Sequence, residues 1–288
     1  MSAPGSLKID LAEQFPHLPQ APIVEAVIDI RGRAEVAWEE SAIQAQLKAQ
    51  LPDYPQVGSH REFRHEVKMA RGQEPQQTLQ GLGWKGLRLQ SADKLHIAQF
   101  NRDGFVFSRF RPYASWEQLF REGMRLWKIH RELARPSEVH RLGLRFINRI
   151  LLPPKDMDFE DYLKAPPKPP DGLDLPFHGF FHNETLAVPG YPYAMNTIRT
   201  IQQPQPSDHD RVGIILDNDV FTVEPFEFQQ EILERRLAEM RWLKNKALAL
   251  LVTRLWRPSN DHRNGCLDDP ISRHCHDSGR ERHCSVCG

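Results

Sequence analysis

Between Arg61 and Phe110 the hydrophobic pattern repeats at every second residue, and from Ser115 to Ala134 it repeats at every third or fourth. The first period is that of a strand with one wet face, the second that of a helix with one buried stripe. Phe63, His65, Val67 and Met69 alternate over 61–71, Trp84, Leu87 and Leu89 over 82–90, and Ile97, Phe100, Phe105 and Phe107 over 95–110. Turn chemistry lies at Ser91–Lys94 and Asn101–Gly104. Ser115 then reads as an N-cap for a stripe of Trp116, Leu119, Phe120, Leu126, Trp127 and Leu133, closed by Pro136. The same succession recurs later. Residues 177–189, 191–203 and 211–223 read as strands with turns at Pro189-Gly190, Pro204–Asp210 and Asp217–Asp219. A long helix over 227–256 follows, its stripe built from Ile232, Leu233, Leu237, Met240, Leu243, Ala247, Leu250, Leu251 and Leu255.

Adding a strand at 23–31, a helix at 37–51 and a strand at 139–152 leaves the strands clustered. That excludes a doubly wound parallel sheet, whose strands alternate with helices. The expected fold is α+β: antiparallel sheet packed by amphipathic helices, in two similar halves, with a long C-terminal helix. Pro16, Pro19 and Pro22 make residues 1–22 an extended arm. Residues 23–256 form one α+β domain, with a candidate inner boundary at the proline-rich stretch 165–172. Residues 257–288 are a separate Cys/His-rich tail, expected to be disordered.

Charge and composition narrow the function classes. Lys+Arg and Asp+Glu number 38 each, for a net charge of zero, which disfavours broad nucleic-acid binding. No run approaches the ~18 apolar residues of a membrane span, and Met1–Asp10 lacks the pattern of an export signal, so a cytoplasmic protein is expected. All four cysteines (Cys266, Cys275, Cys284 and Cys287) lie in the tail. A cysteine-free body suits a reducing compartment.

The glycines of Gly81-Leu-Gly83-Trp-Lys-Gly86 precede no Lys-Ser pair and read as close backbone approach in a strand. No Gly-x-Ser-x-Gly or His-Glu-x-x-His motif occurs. The densest polar pattern is Arg141-Leu-Gly-Leu-Arg-Phe-Ile-Asn-Arg149. On a strand it places Arg141, Arg145 and Arg149 on one face, either as an anion clamp or as a wet face neutralised by carboxylates such as Asp29 or Glu25. Asn148 falls on the apolar face, where its amide must find hydrogen bonds. His178 and His182 would sit ~13 Å apart along a strand, too far for one metal. In Trp242–Lys246, Lys244 and Asn245 read either as helix surface that complements the dipole or as residues facing a partner. In the tail, Cys284-x-x-Cys287 has zinc-knuckle spacing, and Cys275 and His276 would complete four ligands. The competing readings are a tail without a selected structure, such as a frame-shift product, and a redox pair.

Four segments carry a resemblance to a family of sporadically distributed bacterial proteins of unknown function. They are Leu18-Pro-x-Ala-Pro-Ile-Val-Glu-Ala-Val-Ile28, Phe107-Ser-Arg-Phe-Arg-Pro-Tyr-x-Ser-Trp116, Arg141–Arg149 with Pro153, and the closing helix with Lys244-Asn245-Lys246. The resemblance implies no activity; the patchy occurrence implies an accessory role on mobile or defence-related loci. The functional expectation is a non-catalytic protein that binds another protein or an anionic ligand through Arg109, Arg111, Tyr113, Trp116, Arg141, Arg145, Asn148 and Arg149. The alternatives are an enzyme pairing the arginines with His178, His182 or a carboxylate, and a zinc-binding tail. No cofactor other than that zinc is expected.

Overall fold

The computed structural model describes residues 7–252, apart from 17, 19–20, 69–75, 153–158, 169, 171, 173–174, 176–178, 205 and 209–210. The chain divides into two compact units, 1–256 and 257–288. The tail ligands Cys275, His276, Cys284 and Cys287, and also His178, lie outside the described residues. Among those described, no three His, Cys, Asp or Glu side chains are grouped to hold a metal, and no helix is long and apolar enough to cross a membrane.

The described body is a mixed α+β fold. In chain order its elements are β1 (Ile23–Arg31), α1 (Glu40–Gln50), β2 (Gln56–Lys68), β3 (Gln76–Gln90), β4 (His96–Asn101), β5 (Gly104–Phe110), α2 (Trp116–Ala134), β6 (Glu138–Val139), β7 (Arg141–Leu152), β8 (Phe181–Ala187), β9 (Tyr193–Gln202), β10 (Val212–Thr222), β11 (Phe226–Glu227) and α3 (Gln230–Leu251). Nine strands form one antiparallel sheet in the order β2-β3-β4-β5-β1-β7-β10-β9-β8. From β1 the chain runs through a meander that returns as β5 beside β1 and continues into α2. From β7 a second meander returns as β10 beside β7 and leads into α3. β1 and β7 meet at the centre with Ile28 opposite Leu144.

Alternation puts one face of this sheet under the helices. Ala26, Ile28 and Ile30 of β1 and Leu142, Leu144 and Phe146 of β7 are almost fully buried there, with Leu126 and Trp127 of α2 and Leu233, Leu237 and Met240 of α3. Backbone contacts are tightest where glycine stands. A Cβ on Gly86 would come within 2.2 Å of the Phe100 carbonyl, and Gly104, at φ +150°, would place one 2.4 Å from the Ile30 carbonyl. Arg135 caps α2 in the left-handed conformation, its N–H donating to Arg131 O at 2.8 Å.

Three expectations change. The stretch 95–110 is two strands, because Asn101–Gly104 turns the chain between them. Conversely, Asp217–Asp219 is no turn but the middle of β10. Residues 217 and 219 face the arginines of β7, and Asn218 faces inward, accepting from the Thr197 hydroxyl at 3.1 Å. A turn-prone triplet stays extended because each of its side chains finds a partner across the sheet. The long helix also ends earlier, at Leu251, where extended Val252 bridges to Leu163.

The buried apolar residues form two clusters rather than one. The larger includes Phe146, Val220, Met240 and Leu243; the smaller, at the end of α3, includes Ile150, Leu152, Ile214, Leu216 and Leu248. Between them along β7, β10 and α3 stand Asn148, Asn218 and Lys244, all buried. The core is thus crossed by a polar seam.

Candidate functional site

The arginine ladder occupies the sheet face opposite the helices, and each rung is closed by a carboxylate. Arg141 donates to Asp29 and Asp219, both at 2.8 Å. Arg145 grips Asp217 through two bonds, at 2.8 and 2.5 Å. Arg149 is bidentate with Asp208 and also donates to Gln202 at 2.6 Å. The pairing is cross-strand chemistry: Arg145 stands opposite Asp219 on β10 and one step from Asp217, so the register of β7 with β10 supplies the counter-ions. Asp217 holds the Arg145 guanidinium above the usual arginine range, and burial raises Asp219 despite the neighbouring Arg141. Ladder donors directed at Asp29, Asp208, Asp217 and Asp219 are not available to an external anion.

Of the remaining residues of the expected surface, Arg111 adjoins that face and the others do not. Arg109 stands opposite Ala26, on the helix side, donating to the Pro112 carbonyl and contacting His96 Nε2, each at 2.9 Å. Burial and then the Arg109 charge depress His96, which suits it as a neutral acceptor. Arg111 is exposed and, with Arg149, borders a cavity of about 300 Å³ on the ladder side. His182 of β8 pairs in register with Arg199 on the helix side, so sheet geometry separates it from the ladder. Its Nε2 lies 3.3 Å from Glu184.

Tyr113, Trp116 and Asn148 converge instead on the polar seam, together with a residue whose sequence position suggested surface. Lys244 continues the α3 stripe Leu233–Leu237–Met240 and is only 8% exposed. Its Nζ lies 3.6 Å from the centroid of the Phe146 ring, whose edge meets Tyr113 at 5.7 Å between centroids. No hydrogen bond or ion pair reaches Lys244 among the described residues. The ring quadrupole offers a desolvated cation about 2 kcal/mol, less than the several kcal/mol that burial of an ammonium costs. Burial, and secondarily the charge of Arg241, therefore pull the amine down to about 7. Two residues along β7, Asn148 donates to the Leu216 carbonyl at 3.1 Å, while its buried Oδ1 has no partner among the described residues.

Lys244 lines a cavity of about 280 Å³ that also receives Tyr113, Trp116, Arg241 and Asn245. The N-terminal arm forms one wall through Phe15, Pro16 and Leu18, and Ile23 closes the β1 side. The α2 N-cap, Ser115, lies on the rim, so the positive end of a 19-residue helix borders the cavity. Arg241 stacks on Trp116, 5.3 Å from the ring centroid, and lies 3.6 Å from Glu117. Below pH 7 two cations, Arg241 and Lys244, face one carboxylate. Burial raises the Tyr113 phenol, keeping it protonated. The arm is fastened to α3 by Glu13, which accepts from Trp242 Nε1 at 2.9 Å and from Lys246 at 2.6 Å. Three of the four segments singled out in the sequence line the cavity, through Leu18 and Ile23, Tyr113 to Trp116, and Lys244 and Asn245, and the fourth sets Phe146 against Lys244 and Tyr113.

Comparison of the chain with protein-family models, curated proteins and solved structures finds no match in any of the three. The functional reading therefore rests on the geometry.

Proposed function

We propose that the protein is a cytoplasmic accessory protein that binds a small anionic ligand in the cavity at Lys244. In this reading it is one of the sporadically distributed bacterial proteins it resembles, and its body is a pseudo-duplicated pair of strand–meander–helix halves. The observation that carries the proposal is Lys244 itself: a cation in a core position, unmatched by any carboxylate among the described residues, at the edge of a cavity. A fold gains nothing from such a residue by packing alone, since an apolar side chain of that length would fill the site without the desolvation cost. A ligand's negative charge would supply the missing partner, with Arg241 and the first turn of α2 as further donors.

Isothermal titration of the full chain with acetate, lactate, pyruvate and inorganic phosphate tests this. One of these anions is expected to bind, and Lys244→Met is expected to weaken it by about tenfold or more, the equivalent of a single charged hydrogen bond. Unchanged affinity in Lys244→Met, or no binding by any of the four, would overturn the assignment.

The macromolecular-partner reading has one observation of its own. The sheet ends at β8, where Phe181 and Leu186 are 70% and 45% exposed. An open edge carrying apolar side chains suits strand addition. Phe181→Asp with Leu186→Lys should abolish any complex formed that way and leave anion binding unchanged.

A further inference from the structure

The cavity is suited to more than electrostatic capture. We propose that Lys244 is a carbonyl-reactive amine, which condenses with a small 2-oxo acid held in the cavity to form an imine. The inference rests on the anion-binding reading and adds the chemistry of the ligand.

Three features of the site carry it. First, Lys244 lines the cavity with its Nζ against an aromatic ring, and among the described residues no carboxylate pairs with it. An amine desolvated beside a second cation is a standard arrangement for a nucleophilic lysine, and here Arg241 is that cation. Second, the cavity offers separate places for the two ends of such a ligand. Arg241 and the N-terminal turn of α2 suit the carboxylate, while the amine lies against Phe146 on β7. Third, Tyr113 lines the same cavity, and its hydroxyl makes no hydrogen bond among the described residues. Its phenol remains protonated, so it can donate to a carbonyl oxygen.

The groups facing the amine from the surrounding elements are few. Among the described residues, α3 brings Arg241 and Asn245 to the cavity, the segment entering α2 brings Tyr113 and Glu117, and β7 sets Phe146 against the amine; Glu117 lies at Arg241. About 280 Å³ lies at the lower limit of small-molecule pockets, which favours a compact acid over a nucleotide.

The step balances without a redox partner. The Nζ lone pair forms an N–C bond to the carbonyl carbon, and the C=O π pair moves to oxygen, which takes a proton from Tyr113. The resulting carbinolamine loses that oxygen as water. Nitrogen gives up its two protons in all: one restores the Tyr113 phenol, the other reaches the hydroxyl, which leaves as water with the C–O bonding pair, and the nitrogen lone pair closes the C=N bond.

Reductive trapping tests the proposal. The full chain is incubated with pyruvate and cyanoborohydride at pH 6.5, and adducts are located by peptide mass mapping. At that pH an ordinary lysine is only about one part in ten thousand neutral, so reaction should concentrate at Lys244. One reduced adduct is expected there, with a trapping rate that climbs through a midpoint near 7. Arg241→Gln should slow trapping by about tenfold, whereas Lys48→Met, at an exposed position on α1 outside the cavity lining, should leave it unchanged. Acetone, which lacks the carboxylate, should react no faster with the wild type than with Arg241→Gln. An absence of adduct at Lys244, or labelling spread evenly over exposed lysines such as Lys94, would overturn the proposal. Binding of lactate without trapping of pyruvate would refute the covalent step alone and leave anion binding standing. Failure of both ligands to bind would remove both readings. Because the adduct is mapped in the wild type, the result does not depend on any variant folding.

Discussion

Strand β7 carries cations on one face and lies beneath a cation on the other, and the two faces treat charge in opposite ways. On the open face Arg141, Arg145 and Arg149 each meet a carboxylate from β1, β10 or the segment before β10. On the helix face Lys244 sits over Phe146, and among the described residues no carboxylate pairs with it. The contrast is not one of exposure, because Arg149 and Asp208 are as deeply buried as Lys244, with side chains 6% and 3% exposed. A buried pair satisfies itself and is part of the scaffold. A buried single charge leaves an interaction unmade, and so points to a partner that the described residues do not supply.

If that distinction is right, removing a cation should have opposite effects on the two faces. Arg149→Met leaves Asp208 buried without its guanidinium, and is expected to lower stability by about 3–5 kcal/mol. Lys244→Met relieves an unpaired amine of its desolvation, and is expected to raise stability by about 1–4 kcal/mol. Urea midpoints of the two variants against the wild type decide the matter. Destabilisation by Lys244→Met would mean that the amine is already satisfied inside the fold, and the contrast would fail. The Arg149 variant also has its own control: Asp208→Asn with Arg149→Met should recover part of the loss, since no charge is then left stranded.

These two faces were also unequally legible in the sequence. The alternation of Arg141, Arg145 and Arg149 placed them on one face, and Asp29 was identifiable as a counter-ion. Asp217 and Asp219 were read as turn residues, because Asp-Asn-Asp has strong turn propensity, and nothing local shows that arginines lie across a strand pair. The clustering of strands, with helices after each cluster, conveyed the α+β class without revealing that the strands join into a single sheet, since pairing between β1 and β7 spans more than a hundred residues. Lys244 stands out in the sequence as helix surface or as partner-facing, and its core position is hidden for a different reason. A lysine in the last turns of a helix suits the helix dipole, so a surface role explained it adequately. The available signal was spacing: Leu233, Leu237, Met240, Lys244 and Leu248 recur at intervals of three and four, and the stripe runs straight through the lysine. Asn148 was visible as an amide on an apolar face, but only the structure places it on the same polar seam.

The pH dependence of stability sharpens the comparison further. In the unfolded chain the Lys244 amine titrates near the ordinary lysine value of about 10.5, whereas burial brings it to about 7 in the folded protein. Below pH 7 the amine is charged in both states and the desolvation penalty is fully present. Between about pH 7 and 10.5 the unfolded chain binds more protons than the folded one, so stability must climb with pH, by at most about 1.4 kcal/mol per unit from this group. Subtracting the curve of Lys244→Met from that of the wild type isolates the contribution, because other titrating groups are common to both. A flat difference between pH 7 and 9 would show that the folded amine keeps an ordinary pKa, which would in turn remove its reactivity at neutral pH.

The smallest expected effect concerns the neighbouring lysine, two residues on. Lys246 is partly buried and paired with Glu13, and this pair fastens the arm that walls the cavity. Glu13→Gln removes the charge but keeps an acceptor for the Trp242 indole, and a half-exposed pair of this kind contributes about 0–1 kcal/mol. Its equilibrium signature is therefore slight, and the informative measurement is kinetic. If the arm only covers the cavity, Glu13→Gln should raise the dissociation rate of a bound anion by a few fold and leave the trapping yield at Lys244 unchanged. A large loss of stability would show instead that the arm is part of the core, and that Phe15 and Glu13 hold α3 on the sheet rather than holding a ligand beneath them. On the cavity reading, Lys246 closes the site because it is paired, and Lys244 serves it because it is not.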